Sequence, residues 1–344
     1  MTDAATLAFV VPRGVDDPAR VSGGSVFDRR LADALVARGR PVRVVEVGAT
    51  PAALADVFDD IPDGAPVLID GLVARAGPDV LERHAGRVRT AVLAHMVTAA
   101  FADAAEHEIS AERRAFRSAS TVIATSDWTQ RRLIDDEGVR RERVVVVAPG
   151  TDPAPVSLGT PDGAALLCVG TVAPHKGQDV LVEALRGVGT DHPWHCTIVG
   201  SVEGSPPFVA HVRTRARRAG IEDRLSFAGV LDRAHLERAY RRADLVVAPS
   251  RVESYGMAIA EALRRGIPVV ASDVGGIPQA VGVGGAALLV PPDRPDLLGR
   301  ALGAWLTDPG LRERLTNRAR STRRERPTWS EAAARVDAIV AGLS

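Results

Sequence analysis

Lys176 is the only lysine among 344 residues; arginine fills the other basic positions apart from the histidines. It sits in GTVAPHKG, Gly170 to Gly177, a Gly-bracketed turn between an apolar strand-like run and a helix-like run. An ammonium is a compact point charge with three rotatable donors, whereas a guanidinium is a planar fork for bidentate pairing. A lysine kept at a helix entrance therefore suits a phosphate, the alternative being a chance survivor on a solvated loop. Carboxylates supply a second chemistry. Glu253 and Glu261 lie in PSRVESYGMAIAEAL, a separation of about 2.2 helical turns. Both line one cleft wall if helical geometry reaches back to Glu253, and acceptor-only groups suit sugar and ribose hydroxyls. Ala258, Ile259, Ala262 and Leu263 surround Glu261 with apolar positions, where a buried carboxylate needs a partner; otherwise both glutamates are solvated surface groups. Two glycine pairs, Gly23–Gly24 in RVSGGSVFDRRL and Gly275–Gly276 in SDVGGIPQAV, precede helix-like runs, where backbone can come close to an anion. His95 ends the apolar run AVLAH, a position as fit for a hydrogen-bonded structural histidine as for a catalytic one.

Each of these turns follows a strand-like run. In the first half the runs are LAFVV (Leu7 to Val11), VRVVEV (Val42 to Val47), PVLID (Pro66 to Asp70), TAVLAH (Thr90 to His95), TVIAT (Thr121 to Thr125) and VVVVA (Val144 to Ala148). In the second they are ALLCVG (Ala165 to Gly170), HCTIVG (His195 to Gly200), LSFAG (Leu225 to Gly229), DLVVAPS (Asp244 to Ser250), PVVAS (Pro268 to Ser272) and ALLV (Ala287 to Val290). Amphipathic stretches lie between them, as in FDRRLADALVARG, where Phe27, Leu31, Ala34 and Leu35 fall at helical spacing and Gly39 supplies a stop. Strand and helix in alternation predict parallel, doubly wound sheets. Pro149 to Gly163 is crowded with proline and glycine and interrupts the alternation, so it reads as a linker. The expected fold class is α/β, with two Rossmann-like domains, 1–150 and 151–327, facing across a cleft. The tail from Pro292 is helical in pattern; Pro327 breaks one helix, Thr328 or Ser330 caps the next, and this last helix, 328–344, is expected to cross back onto the first domain.

Bulk properties narrow the partners. Basic and acidic residues balance at 43 each, so net charge gives no reason to expect nucleic acid. Hydrophobic content is 46% with no run near 18 apolar residues, which argues against a spanning helix. The start, with Asp3 and no basic n-region, reads as a first strand rather than a signal peptide, and a soluble, cytoplasmic protein is expected. Cys168 and Cys196 lie in apolar strands and read as buried free thiols. Arg113, Arg114 and Arg117, and Arg213, Arg215, Arg217 and Arg218, form basic clusters that read as solvated faces, with contact to an anionic acceptor or a membrane surface as the alternative.

Taken in order, SGGS, GTVAPHKG, ESYGMAIAEAL and SDVGGIP resemble the retaining glycosyltransferases of the GT-B fold, family 4, over nearly the whole chain. The resemblance implies a hexosyltransferase-like enzyme whose second domain binds a nucleotide-diphosphate sugar and whose first domain holds the acceptor, a small molecule, glycan or lipid. It implies that Lys176 neutralises the diphosphate, Glu253 contacts donor-sugar hydroxyls and Glu261 the ribose. The backbone of Tyr255, Gly256, Met257 and Ala258 would complete the cradle, Gly23 and Gly24 would lie over the diphosphate from the opposite domain, and His95 would be the histidine near the sugar. The chain departs from the family at Thr171, where arginine is common and His175 might stand in, at Ser254, where glycine is common, and at Gln279, where glutamate is common; these positions bear on donor choice. No Asp-x-Asp motif is present to hold a divalent ion, so no metal and no other cofactor is expected. Charge on the leaving group would be met by Lys176, backbone N–H groups and helix dipoles, with same-face attack retaining the anomeric configuration and no protein nucleophile. An epimerase of the same fold and a non-catalytic sugar-nucleotide binding protein are the alternatives. A dinucleotide oxidoreductase is disfavoured because VPRGVDDP, not GxGxxG, follows the first strand.

Overall fold

The computed structural model describes residues 6–17, 21–48 and 50–343. Asp3 at the start and Arg20 ahead of the first glycine pair lie outside the described residues. The chain divides into two compact units: one comprises 6–17, 23–150 and 327–343, and the other is principally 151–326.

In the first unit the described residues form a six-stranded parallel sheet: β1 (Leu7–Pro12), β2 (Val42–Val47), β3 (Pro66–Asp70), β4 (Arg89–Ala94), β5 (Thr121–Ala124) and β6 (Val144–Val146), in the order β2-β1-β3-β4-β5-β6. Val, Leu and Ile dominate β3 because helices cover both faces, and every residue of β3 and all but the first of β4 is buried. The order of connection reverses between β1 and β3, the switch point outside whose carboxyl ends open α/β sheets place ligands. Phe58, Ile69, Val92 and Phe116 are core members at 0% exposure. The helix Gly23–Ala37 turns Phe27, Leu31 and Leu35 inward; complete burial of such side chains stabilises by about 1.5–3 kcal/mol each. It packs against the C-terminal helix Trp329–Gly342. Thr328 caps that helix in a capping box with Glu331, satisfying two of the N–H groups a helix start leaves unpaired.

The second unit repeats the plan with β7 (Ala165–Val169), β8 (His195–Val199), β9 (Leu225–Gly229), β10 (Leu245–Ala248), β11 (Val269–Ser272) and β12 (Ala287–Val290), all parallel, in the order β12-β11-β10-β7-β8-β9. Its switch point lies between β7 and β10. The core includes Leu181, Leu185, Val247, Leu302 and Trp305, and the Trp305 indole N–H donates to Gly163 O at 2.8 Å. Cys168 and Cys196 are buried free thiols, both pushed up by burial, Cys168 to about 12.

Two expectations are corrected. Gly23 and Gly24 do not precede the first helix; they form its first turn, since without side chains nothing opposes the phase set by Phe27, Leu31 and Leu35. Helical geometry does not reach back from Glu261 to Glu253, because Gly256 takes φ +102° and the helix starts at Met257. The basic clusters are largely paired. Arg113 bonds Glu137, Arg114 bonds Asp79 and Glu82, Arg117 donates to Glu137 O, Arg215 and Arg217 face Glu183 and Glu222, and Arg213 lies over Phe227. Among the described residues no helix is long and apolar enough to cross a membrane.

Candidate active site

The turn after β7 and the turn after β10 meet at the second unit's switch point. Lys176 closes a short 3-10 turn, Pro174–Lys176, just before the helix Gln178–Val188, and its ammonium donates to Glu253 Oε2 at 2.6 Å. Both side chains remain partly exposed, 25% and 18%. Three devices fix the lysine turn. Gly177 takes φ +68°, and a Cβ there would lie 2.0 Å from Pro249 O, so only glycine lets the turn pass under the β10 loop. The Arg251 guanidinium grips both Asp179 oxygens at 2.9 Å and donates to Pro174 O, while Arg251 N–H donates to His175 O. Burial would raise the Asp179 carboxyl; the Arg251 guanidinium outweighs it and holds it below its ordinary value. Buried Gln178 donates to Thr171 O at 3.0 Å and accepts from Ala173 N–H at 3.4 Å, which holds the loop containing Thr171.

Glu253 is held through its backbone. Gly276 N–H donates to Glu253 O at 2.9 Å, and a Cβ at Gly275 would sit 1.8 Å from that oxygen. The second glycine pair, expected to admit a ligand, thus admits the Glu253–Tyr255 backbone itself. Tyr255 is buried, its phenol pushed to about 12 by burial, so only its backbone can face a ligand, together with Gly256, Met257 and Ala258 at the helix start. Glu261 lies apart from the Lys176–Glu253 pair in its bonding: Oε2 accepts from the Tyr240 hydroxyl at 2.8 Å. Tyr240 is wholly buried, and Arg265 stacks over its ring at 4.4 Å while bonding Glu237.

In the first unit His95 stands just past β4. Its Nε2 lies 2.7 Å from Asp28 Oδ1 and 3.2 Å from Asp70 Oδ2. Asp28 comes from the first helix and Asp70 from the last position of β3, where its Oδ1 also caps the helix Gly71–Ala76 through Leu72 and Val73 N–H. Phe27 meets the imidazole edge-on at 4.9 Å. Burial alone would lower the His95 pKa; the two carboxylates outweigh it and raise it to about 10. Burial raises Asp28 to about 6 against the pull of His95. Asp28, Asp70 and His95 are the one grouping of three among the described residues with ligand-type atoms within 4.8 Å of one another, with His95 Nε2 within hydrogen-bonding distance of both carboxylates. The loop beyond His95 is tied down by buried Glu112, which accepts from Thr98 N–H at 2.6 Å and Thr98 Oγ1 at 2.7 Å; burial pushes its carboxyl up to about 7.

Reading the sequence assigns no role to Asp28, Asp70, Arg251, Asp179, Gln178 or Tyr240. A signal existed for Asp70, since a carboxylate closing the apolar run PVLID needs a buried partner. A single Asp or Arg within a polar stretch carries no such mark.

Residues 155–322 match the family model described as Glycosyl transferases group 1. The match lies within the second unit. Among curated proteins similar to the chain are the D-inositol 3-phosphate glycosyltransferase of Jonesia denitrificans, 34% identical over 241 residues, and the mannosylfructose-phosphate synthase of Agrobacterium fabrum, 30% identical over 244. These matches take in 64% and 66% of the chain but 57% and 54% of the two relatives, so the chain spans little more than half of their length. Solved structures share its GT-B fold along nearly the whole chain. Sucrose-phosphate synthase from Thermosynechococcus elongatus superposes with a TM-score of 0.83 at 22% identity, covering 98% of this chain and 99% of that one. Anabaena HepE, solved with UDP and glucose, gives 0.79 at 19%, covering 98% and 99%.

Proposed function

We propose that this chain is a retaining glycosyltransferase of group 1 that moves a sugar from a nucleoside-diphosphate donor to a hydroxyl acceptor without a metal ion. The observation that carries the reading is the Lys176–Glu253 pair, which sets one cation and one carboxylate side by side at the switch point between β7 and β10. A diphosphate calls for the cation and the hydroxyls of its sugar for the carboxylate. In this reading the second unit takes the donor. Lys176 meets the diphosphate and Glu253 the sugar; Glu261 meets the ribose, and the Thr171 loop and the backbone of Tyr255–Ala258 surround them. The first unit takes the acceptor and contributes Gly23, Gly24 and His95. HepE, solved with UDP and glucose, supports a uridine diphosphate donor, and the transferase names of the curated relatives support the reaction class. The family resemblance supports retention, with the departing phosphate receiving the acceptor proton.

The test is calorimetric binding of UDP, GDP, ADP, dTDP and NAD to the full chain and to Lys176→Ala. Loss of a charge-assisted hydrogen bond costs about 1.5–3 kcal/mol, or about 10- to 150-fold in affinity at 1.4 kcal/mol per decade. Selective binding of one nucleoside diphosphate, weakened by that factor, is the expected result. Binding of NAD alone, or equal binding by the variant, would overturn the reading.

A further inference from the structure

We propose that Asp28 and Asp70 are positioning residues that clamp the His95 ring through Nε2, fixing His95 as a cationic donor that offers Nδ1 to substrate rather than as a general base. The proposal rests on the glycosyltransferase reading only for what the ring then meets; the clamp stands on the first unit's own geometry.

Three elements converge on one nitrogen. The first helix brings Asp28, β3 ends in Asp70, and His95 follows β4. Nε2 lies 2.7 Å from one carboxylate and 3.2 Å from the other. A nitrogen between two acceptors must carry its proton, so the lone pair of a neutral ring could lie only on Nδ1. Two buried carboxylates beside that ring favour protonation there as well. Asp28 and Asp70 are 1% and 2% exposed. Buried anions so poorly solvated are tolerated only against a cation, and among the described residues the charged groups facing the ring are these two carboxylates. Phe27 closes an edge of the imidazole and limits its rotation. The side chain keeps 12% of its surface exposed, a narrow opening through which a hydroxyl or phosphate oxygen can accept from Nδ1. The raised pKa of His95 agrees with this geometry.

The experiment follows the imidazole nitrogens of His95 by NMR between pH 5 and 9 in the full chain labelled with ¹⁵N-histidine, with His95→Gln identifying the resonances. Wild-type His95 is expected to keep both nitrogens protonated up to pH 8. Asp28→Asn and Asp70→Asn each keep the side-chain shape, and Asn can still cap the helix after β3. Each is expected to lower the midpoint by about 1–3 pH units, the range for loss of an adjacent opposite charge. Turnover of UDP-glucose in these variants should then fall as pH rises from 6 to 9, while the wild type holds its rate, because the cationic form is lost only where its pKa has dropped. A wild-type His95 titrating near 6.5, or variants with unchanged midpoints, would overturn the clamp. A lowered midpoint with an unchanged pH profile of turnover would overturn the donor role. If UDP-glucose is neither bound nor turned over, the donor assignment fails while the titration still decides the clamp.

Discussion

Glu261 is held in part by a buried hydroxyl. Tyr240 is wholly buried and donates to Glu261 Oε2 at 2.8 Å, and burial together with that carboxylate pushes the phenol well above its ordinary pKa. Tyr240→Phe keeps the ring under Arg265 and removes only the donor. The expected cost is about 1.5–3 kcal/mol, the range for a hydrogen bond to a charged group, read as a lower urea midpoint at unchanged slope. If Glu261 takes the ribose, the same variant weakens UDP more than 2′,3′-dideoxy-UDP; equal weakening would remove Glu261 from ribose recognition. Legibility in the sequence differed between such residues for a physical reason. Lys176 was conspicuous by rarity and Glu261 by its apolar neighbours, both local properties. Asp28 meets His95 across 67 positions and Arg251 meets Asp179 across 72, and nothing local distinguishes either partner from a solvated charge.

Between residues and domains, the decisive parts are turns. Gly177 precedes the helix Gln178–Val188 and Gly187 lies inside its last turn, and the two answer to different constraints. At Gly177 a side chain would be forced into left-handed backbone and against Pro249 O, whereas at Gly187 a Cβ meets nothing within 4 Å. Gly177→Ala is therefore expected to destabilise by about 1–3 kcal/mol, the cost of strained backbone, and to weaken nucleoside-diphosphate binding as Lys176→Ala does. Gly187→Ala is expected to stabilise by about 0.5–1 kcal/mol, the gain from replacing glycine inside a helix. Thermal denaturation of the two variants side by side separates strain from propensity; similar midpoints would contradict it. The strands were readable because parallel strands covered on both faces are continuous apolar runs, as in PVLID and LVVA. The turn after β10 was readable in part: Glu253 falls in the loop and Gly256 opens the helix, as found, whereas the left-handed backbone that keeps helical geometry from reaching Glu253 leaves no trace in hydrophobic periodicity.

The whole molecule is not two beads in sequence. The second unit interrupts the first, and the chain returns at Pro327 so that Trp329 can meet Phe27 edge-on at 5.5 Å. The outgoing and returning segments touch: a Cβ at Gly150 would lie 2.2 Å from Trp329 N. Trp329 is buried, and Trp329→Ala is expected to cost about 3–5 kcal/mol, as for other large aromatic truncations. Calorimetry should show the loss in one transition and leave nucleoside-diphosphate binding unchanged if the second unit is separately stable. Loss of both would show that the units unfold together. The last helix was legible from Pro327 and Thr328, but its return depended on the Phe27–Leu31–Leu35 stripe, which looks the same in sequence whatever covers it. This arrangement imposes a calendar on biosynthesis. Emerging from the ribosome, the N-terminal sheet must wait for some 180 further residues before its final helix arrives, carrying an uncovered apolar groove meanwhile, so the nascent chain's most aggregation-prone interval coincides with translation of the intervening unit.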